Sequence, residues 1–271
     1  MPEVETIRHQ LEPHLRGKTI AGVNVPDPRV TAPVSPAAFG RRLKGRTISG
    51  VTRRGKYLIL ELNSGETLVI HLRMTGRLTY SRGAVRFSQW PHLRLVINFI
   101  SGAQLLFQDQ RRFGTAFVID AGEAAAYWRR LGPEPLDRAF NARLLAGILD
   151  RRKRPIKSLL LDQQLIAGIG NIYADESLYR ARIHPLRNSG SLTQEEASRL
   201  VAAIKETLRD AIRLQGSSID TYRDARGRRG RFQETFRVHR RSGEPCACGR
   251  TIRKLKVGGR GTYFCPGCQK L

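Results

Sequence analysis

The chain has 271 residues, 40% of them hydrophobic, which is enough for more than one core and excludes a disordered chain. Lys and Arg number 48 against 23 Asp and Glu, a formal net charge of +25. No run of about 18 apolar residues and no basic helix with a bulky apolar face is present, so nucleic acid rather than a membrane is the expected partner for that charge.

The first segment, residues 2–16, reads as a helix, with Val4, Ile7, Leu11 and Leu15 at three- and four-residue spacing. Glu3, Glu5 and Arg8 fall where the apolar part of a secretory signal would lie, so a cytoplasmic or nucleoid location, not secretion, is expected. Short β-branched and aromatic runs follow at 51–62, 67–74, 92–99, 103–108 and 115–119, separated by glycine-containing turns. They predict an antiparallel sandwich or barrel, and with the leading helix a first domain over 1–131. A short helix near 122–131 ends at "LGPEPLD", whose prolines mark 132–136 as a linker.

Beyond it the pattern turns helical, at about 140–150, 154–165, 173–182 and 193–214, in a second domain over 137–240. Ser191 with Glu195 and Glu196 marks the start of the last helix and Gly216 its stop. The polar, glycine-rich stretch 216–233 has no period and reads as a mobile loop. Residues 241–271 read as two cysteine turns flanking a β-hairpin.

All four cysteines lie in that tail, as Cys246-x-Cys248 and Cys265-x-x-Cys268. In a reducing compartment such clustering points to metal rather than disulfides, and four thiolates on two turns suit one tetrahedral, structural zinc. The first pair is one residue shorter than the usual knuckle, which leaves a weakened or metal-free site as the other reading. Arg260 sits among glycines in "GGRGT", where its guanidinium either approaches a phosphate or is simply solvated.

In "AGIGN" one helix ends before another begins near Tyr173; the next helix's free amides and Asn171 can meet an anion, or the stretch is an ordinary helical turn. Met74 in "HLRMTG" and Phe113 in "QDQRRFG" are apolar residues beside arginines at strand ends; they suit a wedge into a base stack, or core packing. Lys56 stands at a strand start, where taken alone it reads as a solvated charge. Removal of Met1 would expose Pro2 as a secondary amine able to attack a sugar carbon, with Glu3 as its acid; alternatively Pro2 is a good first-turn helix residue.

In this order, "PEVET", "RRGKYL", "HLRMTG", "QDQRRFG", "LGPEPL", "GIGNIYADESL" and "GRGTYFCPGCQ" resemble the formamidopyrimidine-DNA glycosylase family over nearly the whole chain. The resemblance implies an α+β multidomain fold: an N-terminal β-sandwich with a leading helix, a helix–two-turn–helix domain and a zinc ribbon with one structural Zn2+. It implies a monomeric base-excision repair enzyme that removes oxidised purines from damaged double-stranded DNA and nicks the abasic site. Pro2 then matches the nucleophile, Glu3 its acid partner, Lys56 the residue of β-elimination and Arg260 that of δ-elimination. His92, Arg111, Lys153 and Asn171 match DNA-contacting positions, and Met74, Arg111 and Phe113 those that fill the void left by a flipped nucleotide. Residues 216–233, with five arginines from Arg223 to Arg231, match the loop that covers the extruded base.

Three departures accompany the resemblance. Family members carry three further residues before the motif at "PEVET", so Pro2 lies about one helical turn, roughly 5 Å, from the usual nucleophile position if the helix keeps its register. The C-x-C pair is short, which bears on where Arg260 sits. His239-Arg240 replaces a frequent tyrosine-glycine. Two rival functions are an endonuclease VIII-like glycosylase for oxidised pyrimidines and a damaged-DNA-binding protein without catalysis.

Overall fold

The computed structural model describes residues 1–219 and 221–271. Its elements run α1 (Pro2–Leu15), β1 (Ile20–Asn24), α2 (Pro36–Leu43), β2 (Ile48–Arg54), β3 (Tyr57–Leu62), β4 (Thr67–His71), β5 (Gly76–Ser81), β6 (Leu93–Phe99), β7 (Gln104–Asp109), β8 (Thr115–Ile119) and α3 (Ala124–Trp128). Then follow α4 (Ala142–Leu149), α5 (Ile156–Leu160), α6 (Asn171–Arg180), α7 (Gln194–Arg213), β9 (Arg253–Val257) and β10 (Arg260–Phe264). The chain divides into two compact units, residues 2–129 with 214–231 and residues 130–213 with 232–271.

In the first unit two four-stranded antiparallel sheets, ordered β1-β6-β7-β5 and β2-β3-β4-β8, enclose one core. Alternation along the strands builds it: Leu58, Leu60 and Leu62 of β3 and Leu95 and Ile97 of β6 point inward. Helix α1 adds Val4, Ile7, Leu11 and Leu15, each buried, so its register is fixed by four side chains at helical spacing. The expected strand over 51–62 is instead a hairpin, β2 pairing with β3 from Arg54↔Tyr57 back to Ile48↔Leu62. Gly55, at φ +59°, opens its two-residue turn, the backbone a type II′ hairpin requires of its first central residue. Three elements escape the sequence pattern. Strand β1 is short and interrupted by Gly22, and β5 has only Leu78 and Tyr80 as apolar residues, whereas α2 has a readable start in Ser35, whose Oγ accepts from Ala38 N, followed by Pro36.

In the second unit α7 packs on α4 and α6, and buries Leu200, Ile204, Leu208 and Ala211 on one face. The α7 start is a capping box at Thr193, two residues beyond the expected Ser191: Glu196 N donates to Thr193 Oγ1 at 3.2 Å and Thr193 N to Glu196 Oε2 at 2.9 Å. The helix expected over 154–165 stops at Leu160. Side chains take over the backbone bonding there: Gln164 N donates to Asp162 Oδ1, Gly168 N to Gln163 Oε1, and Gln163 Nε2 to the Leu161 and Ile169 carbonyls. Residues 161–170 are therefore turns, not the end of a helix. Segment 132–136, expected as a linker, is bonded into this unit: Gly132 N donates to Gln163 O and Ala167 N to Pro133 O. A Cβ at Gly132 would lie 2.3 Å from the Leu165 backbone, so the close approach requires glycine.

Candidate nucleic-acid interface and metal centre

The turn after β7 is organised by one carboxylate. Asp109 is 1% exposed, and its Oδ2 accepts from Gly114 N at 2.7 Å while its Oδ1 accepts from Thr75 Oγ1 and, at 3.3 Å, from Arg111 N. Two loops, 72–75 and 110–114, are thus locked together. At their tips Met74 is 65% exposed and Phe113 53% exposed, so neither serves the core. Arg111 joins them: Nη1 donates to Met74 Sδ at 3.2 Å and its guanidinium lies 4.9 Å from the Phe113 ring centroid. The structure brings together three of the expected DNA-contacting residues as one exposed cluster, in the place where a wedge was expected. Arg73, His92 and Arg112 flank it with φ of +53°, +62° and +60°. Such left-handed backbone in non-glycine residues costs about 1–3 kcal/mol each and clusters at functional sites. His92, also expected to contact DNA, is exposed, and its carbonyl accepts from Asp109 N.

Pro2 begins α1 and is buried, with its carbonyl accepting from Thr6 Oγ1 at 3.0 Å. The core register of α1 places Pro2 inside the first helical turn. Glu3 faces the segment 214–231: Ser217 N donates to its Oε1 at 3.4 Å and Tyr222 Oη to its carbonyl at 3.5 Å. That segment, expected to be mobile, is fastened to α1. Gln10 Nε2 donates to Asp224 Oδ2 at 2.8 Å and Gln10 Oε1 accepts from Ala225 N at 2.9 Å. Asp224, 1% exposed, also accepts from the amides of Arg226 and Arg228. Lys56 sits in the β2–β3 turn, close enough for its charge to act on His71. Burial, then the charges of Arg73 and Lys56, lower the His71 pKa to about 3, and its neutral Nδ1 accepts from Arg73 N at 2.9 Å. Glu5 is partly buried, which raises its pKa, but hydrogen bonds from Arg53 and Arg8 outweigh burial and hold it below the ordinary range.

In the second unit Asn171 begins α6 and donates from Nδ2 to Gly261 O at 3.0 Å. The same carbonyl accepts from Lys157 Nζ at 3.1 Å, and Lys157 also donates to Thr262 Oγ1 at 2.7 Å. Lys157 is fully buried; desolvation lowers its pKa, and Asp175 at 2.6 Å works against that. Asp175 in turn bonds His239 Nδ1 at 2.8 Å, and Glu176 accepts from the amides of Arg237, Val238 and His239. This buried polar chain fixes β10, whose first residue is the exposed Arg260, against the start of α6. Lys153 is exposed on the α4–α5 connection. Sequence reasoning passed over Asp109, Gln10, Asp224, Lys157 and Asp175. Asp109 and Asp175 are the acidic residues inside the motifs "QDQRRFG" and "ADESL", which was the signal for those two; Lys157, Gln10 and Asp224 gave none.

The hairpin β9–β10 turns on Gly258-Gly259, with φ of +53° and +76°, as a type I′ turn needs. Its cysteines converge: the Sγ atoms of Cys246, Cys248, Cys265 and Cys268 all lie within 4.8 Å of one another, with 3.8 Å for 246–268 and 3.4 Å for 248–265. Zinc–sulfur bonds of about 2.3 Å in a tetrahedron place sulfurs roughly 3.8 Å apart, so four thiolates fit one zinc ion. The short C-x-C pair therefore delivers both sulfurs, through a tight turn in which Gly249 N donates to Cys246 O and Gly249 takes φ +80°. Gly267 leaves room for it, since a Cβ there would lie 3.1 Å from Cys248 Sγ. Gln269 ties the second knuckle down, accepting from Cys265 N and donating to Ile183 O.

Three family models match in sequence order: the formamidopyrimidine-DNA glycosylase N-terminal domain over residues 1–116, its H2TH domain over 131–223, and a zinc finger found in FPG and IleRS over 243–271. Among curated relatives, the formamidopyrimidine-DNA glycosylase of Chloroflexus aurantiacus is 46% identical over 99% of this chain and 96% of its own. That of Moorella thermoacetica is 48% identical over 94% of each. Among solved structures, a Lactococcus lactis FPG mutant bound to Fapy-dG-containing DNA matches with a TM-score of 0.92 at 38% identity, over 100% of this chain and 99% of its own. The same enzyme bound to DNA containing an abasic site matches with a TM-score of 0.92 at 39% identity, over the same shares. With wedge, zinc ribbon and turn-linked helices in the same order and full-length identity above 40%, the chain belongs to the formamidopyrimidine-DNA glycosylase family.

Proposed function

We propose that the protein excises oxidised purines from duplex DNA and nicks the resulting abasic site. The observation that carries this reading is the wedge: Met74, Arg111 and Phe113 stand exposed on a rigid, carboxylate-locked turn, which suits filling the space of an extruded nucleotide. A +25 charge supplies affinity for the phosphates. His92, Lys153 and Asn171 contact the backbone. The protein acts as a monomer, in the cytoplasm or nucleoid. Zinc, held by the four cysteines, keeps the hairpin folded and leaves no open coordination position for chemistry.

In this reading the Pro2 nitrogen, freed of Met1, attacks the sugar C1′ carbon and the damaged base leaves with its bonding pair. Glu3, held by the Ser217 amide, donates the proton that opens the sugar ring, giving an iminium. Loss of a C2′ proton expels the 3′ phosphate, with Lys56 in the proton transfer. A second elimination, assigned to Arg260, expels the 5′ phosphate.

A second reading is favoured by a specific observation. Pro2 is buried within the first turn of a helix whose register the core fixes, which suits damage recognition without chemistry at Pro2. Borohydride trapping on a duplex with one 8-oxoguanine opposite cytosine separates the two, using protein whose N-terminal residue is verified by mass. Covalent adduct, lost in Pro2→Gly, is the result expected of the enzyme. Damage-selective binding with no adduct establishes recognition alone.

A further inference from the structure

Beside the wedge, a cavity of about 330 Å³ opens where β6 begins, lined by Phe87, Trp90, His92, Arg94, Arg112 and Pro26. Of its lining, the proposed function uses only His92, as a backbone contact. Its walls combine two features. Phe87 is 45% exposed, and Trp90 is covered only in part by the small cluster of Leu93, Val96 and Leu106, so two aromatic side chains border the opening. Asp27 is, among the described residues, the carboxylate that faces three guanidiniums: Arg29 at 2.8 Å, Arg94 at 3.5 Å and Arg112 at 3.8 Å. The cavity therefore presents aromatic side chains and surplus positive charge, the pair of features that holds single nucleotides through base stacking and phosphate attraction.

The cavity is also rigidly coupled to the wedge. Asp109 holds both: its carboxylate locks the wedge loops, its carbonyl accepts from Arg94 Nε at 2.8 Å, and its amide donates to His92 O at 2.9 Å. Arg112 lies between the wedge residues Arg111 and Phe113 in sequence, yet its side chain is directed to Asp27.

We propose that this cavity receives one unstacked nucleobase of the bound duplex, stacked on Phe87 and Trp90 with its phosphate at Arg112. The inference rests on the wedge entering damaged DNA. The volume lies at the low end of the range for ligand pockets, about 300–1,000 Å³, which suits a single base. That base comes from the strand facing the lesion or from the damaged strand next to it, and both present the same chemistry.

The test is a coupling measurement. Duplexes carry an uncleavable tetrahydrofuran abasic analogue at the lesion position. In each strand in turn, one neighbouring or opposing base is omitted by a second abasic residue, and Kd is measured for the wild type, Phe87→Ala and Phe87→Tyr. At one position, omission is expected to weaken wild-type binding roughly ten-fold, the scale of one base–aromatic stack. Phe87→Ala loses that sensitivity and Phe87→Tyr, which keeps the ring, retains it. The strand in which the effect appears identifies the source of the base. If omission costs the wild type and Phe87→Ala the same factor at every position, or if Phe87→Tyr also loses the sensitivity, the inference is overturned while the wedge reading stands. No preference for the abasic duplex over intact duplex overturns the wedge reading, and this inference with it.

Discussion

The Asp109 carboxylate offers the most direct test of how the wedge is held. In Asp109→Ala, the amide of Gly114 is left without its 2.7 Å partner in a buried setting, and the Thr75 hydroxyl loses its acceptor. A hydrogen bond to a charged group contributes about 1.5–3 kcal/mol, and a buried donor left unpaired costs about 1–3 kcal/mol. The Arg111 amide, at 3.3 Å and near solvent, adds little. The expected destabilisation is about 3–5 kcal/mol, concentrated in residues 109–114. Asp109→Asn keeps one carbonyl acceptor, so its loss is about 1–2 kcal/mol. Denaturant unfolding measures the stability, and fluorescence anisotropy on an abasic-analogue duplex measures the selectivity over intact duplex. Asp109→Ala is expected to lose selectivity by ten-fold or more, since Phe113 and Arg111 are no longer presented together. An Asp109→Ala protein within about 1 kcal/mol of wild type, with selectivity intact, would refute the claim that this carboxylate organises the site.

Gln10→Ala removes the two shortest contacts that fasten segment 214–231 to α1 and leaves the longer ones of Glu3 in place. Trypsin is expected to cut at the arginines between Arg223 and Arg231 faster than in wild type, with the melting temperature little changed; equal cutting rates refute the fastening role. His71 has a folded pKa of about 3, below its unfolded value of about 6.5. Its contribution is fully present above pH 6.5 and declines as pH falls toward 3, because the unfolded chain takes up the proton first. His71→Gln is expected to flatten stability against pH across that window, and an unchanged slope contradicts the assignment. Zinc removal by a chelator is expected to unfold the hairpin 241–271 and release the Gly261 carbonyl from Lys157 and Asn171. Loss of DNA binding together with zinc supports this; a hairpin that keeps its circular dichroism without metal does not.

Much of this protein is legible in its sequence, for local reasons. The helical spacing of Val4, Ile7, Leu11 and Leu15, the alternation along β3 and β6, and the two cysteine turns report structure because each needs only a few neighbouring residues to act. The charge balance alone points to a polyanion. Motif order carries the family.

Tertiary structure decided the rest. Whether Met74 and Phe113 pack in the core or stand exposed depends on their neighbours across two loops, and the buried Asp109 locks those loops with both tips outward. The pairing of Gln10 with Asp224 joins residues 214 positions apart, and that of Lys157 with Thr262 joins residues 105 apart; no periodicity links such positions. The helix at 156–160 is shorter than its apolar pattern because Gln163 and Asp162 side chains replace the backbone bonds that a pattern assumes. The short C-x-C turn still closes on the other pair because Gly249 adopts a left-handed backbone and Gly267 leaves space for a sulfur. Sequence determines which groups the chain possesses and their local geometry; only packing decides which of them face one another, because contacts over long separations are fixed by the shape of the whole core.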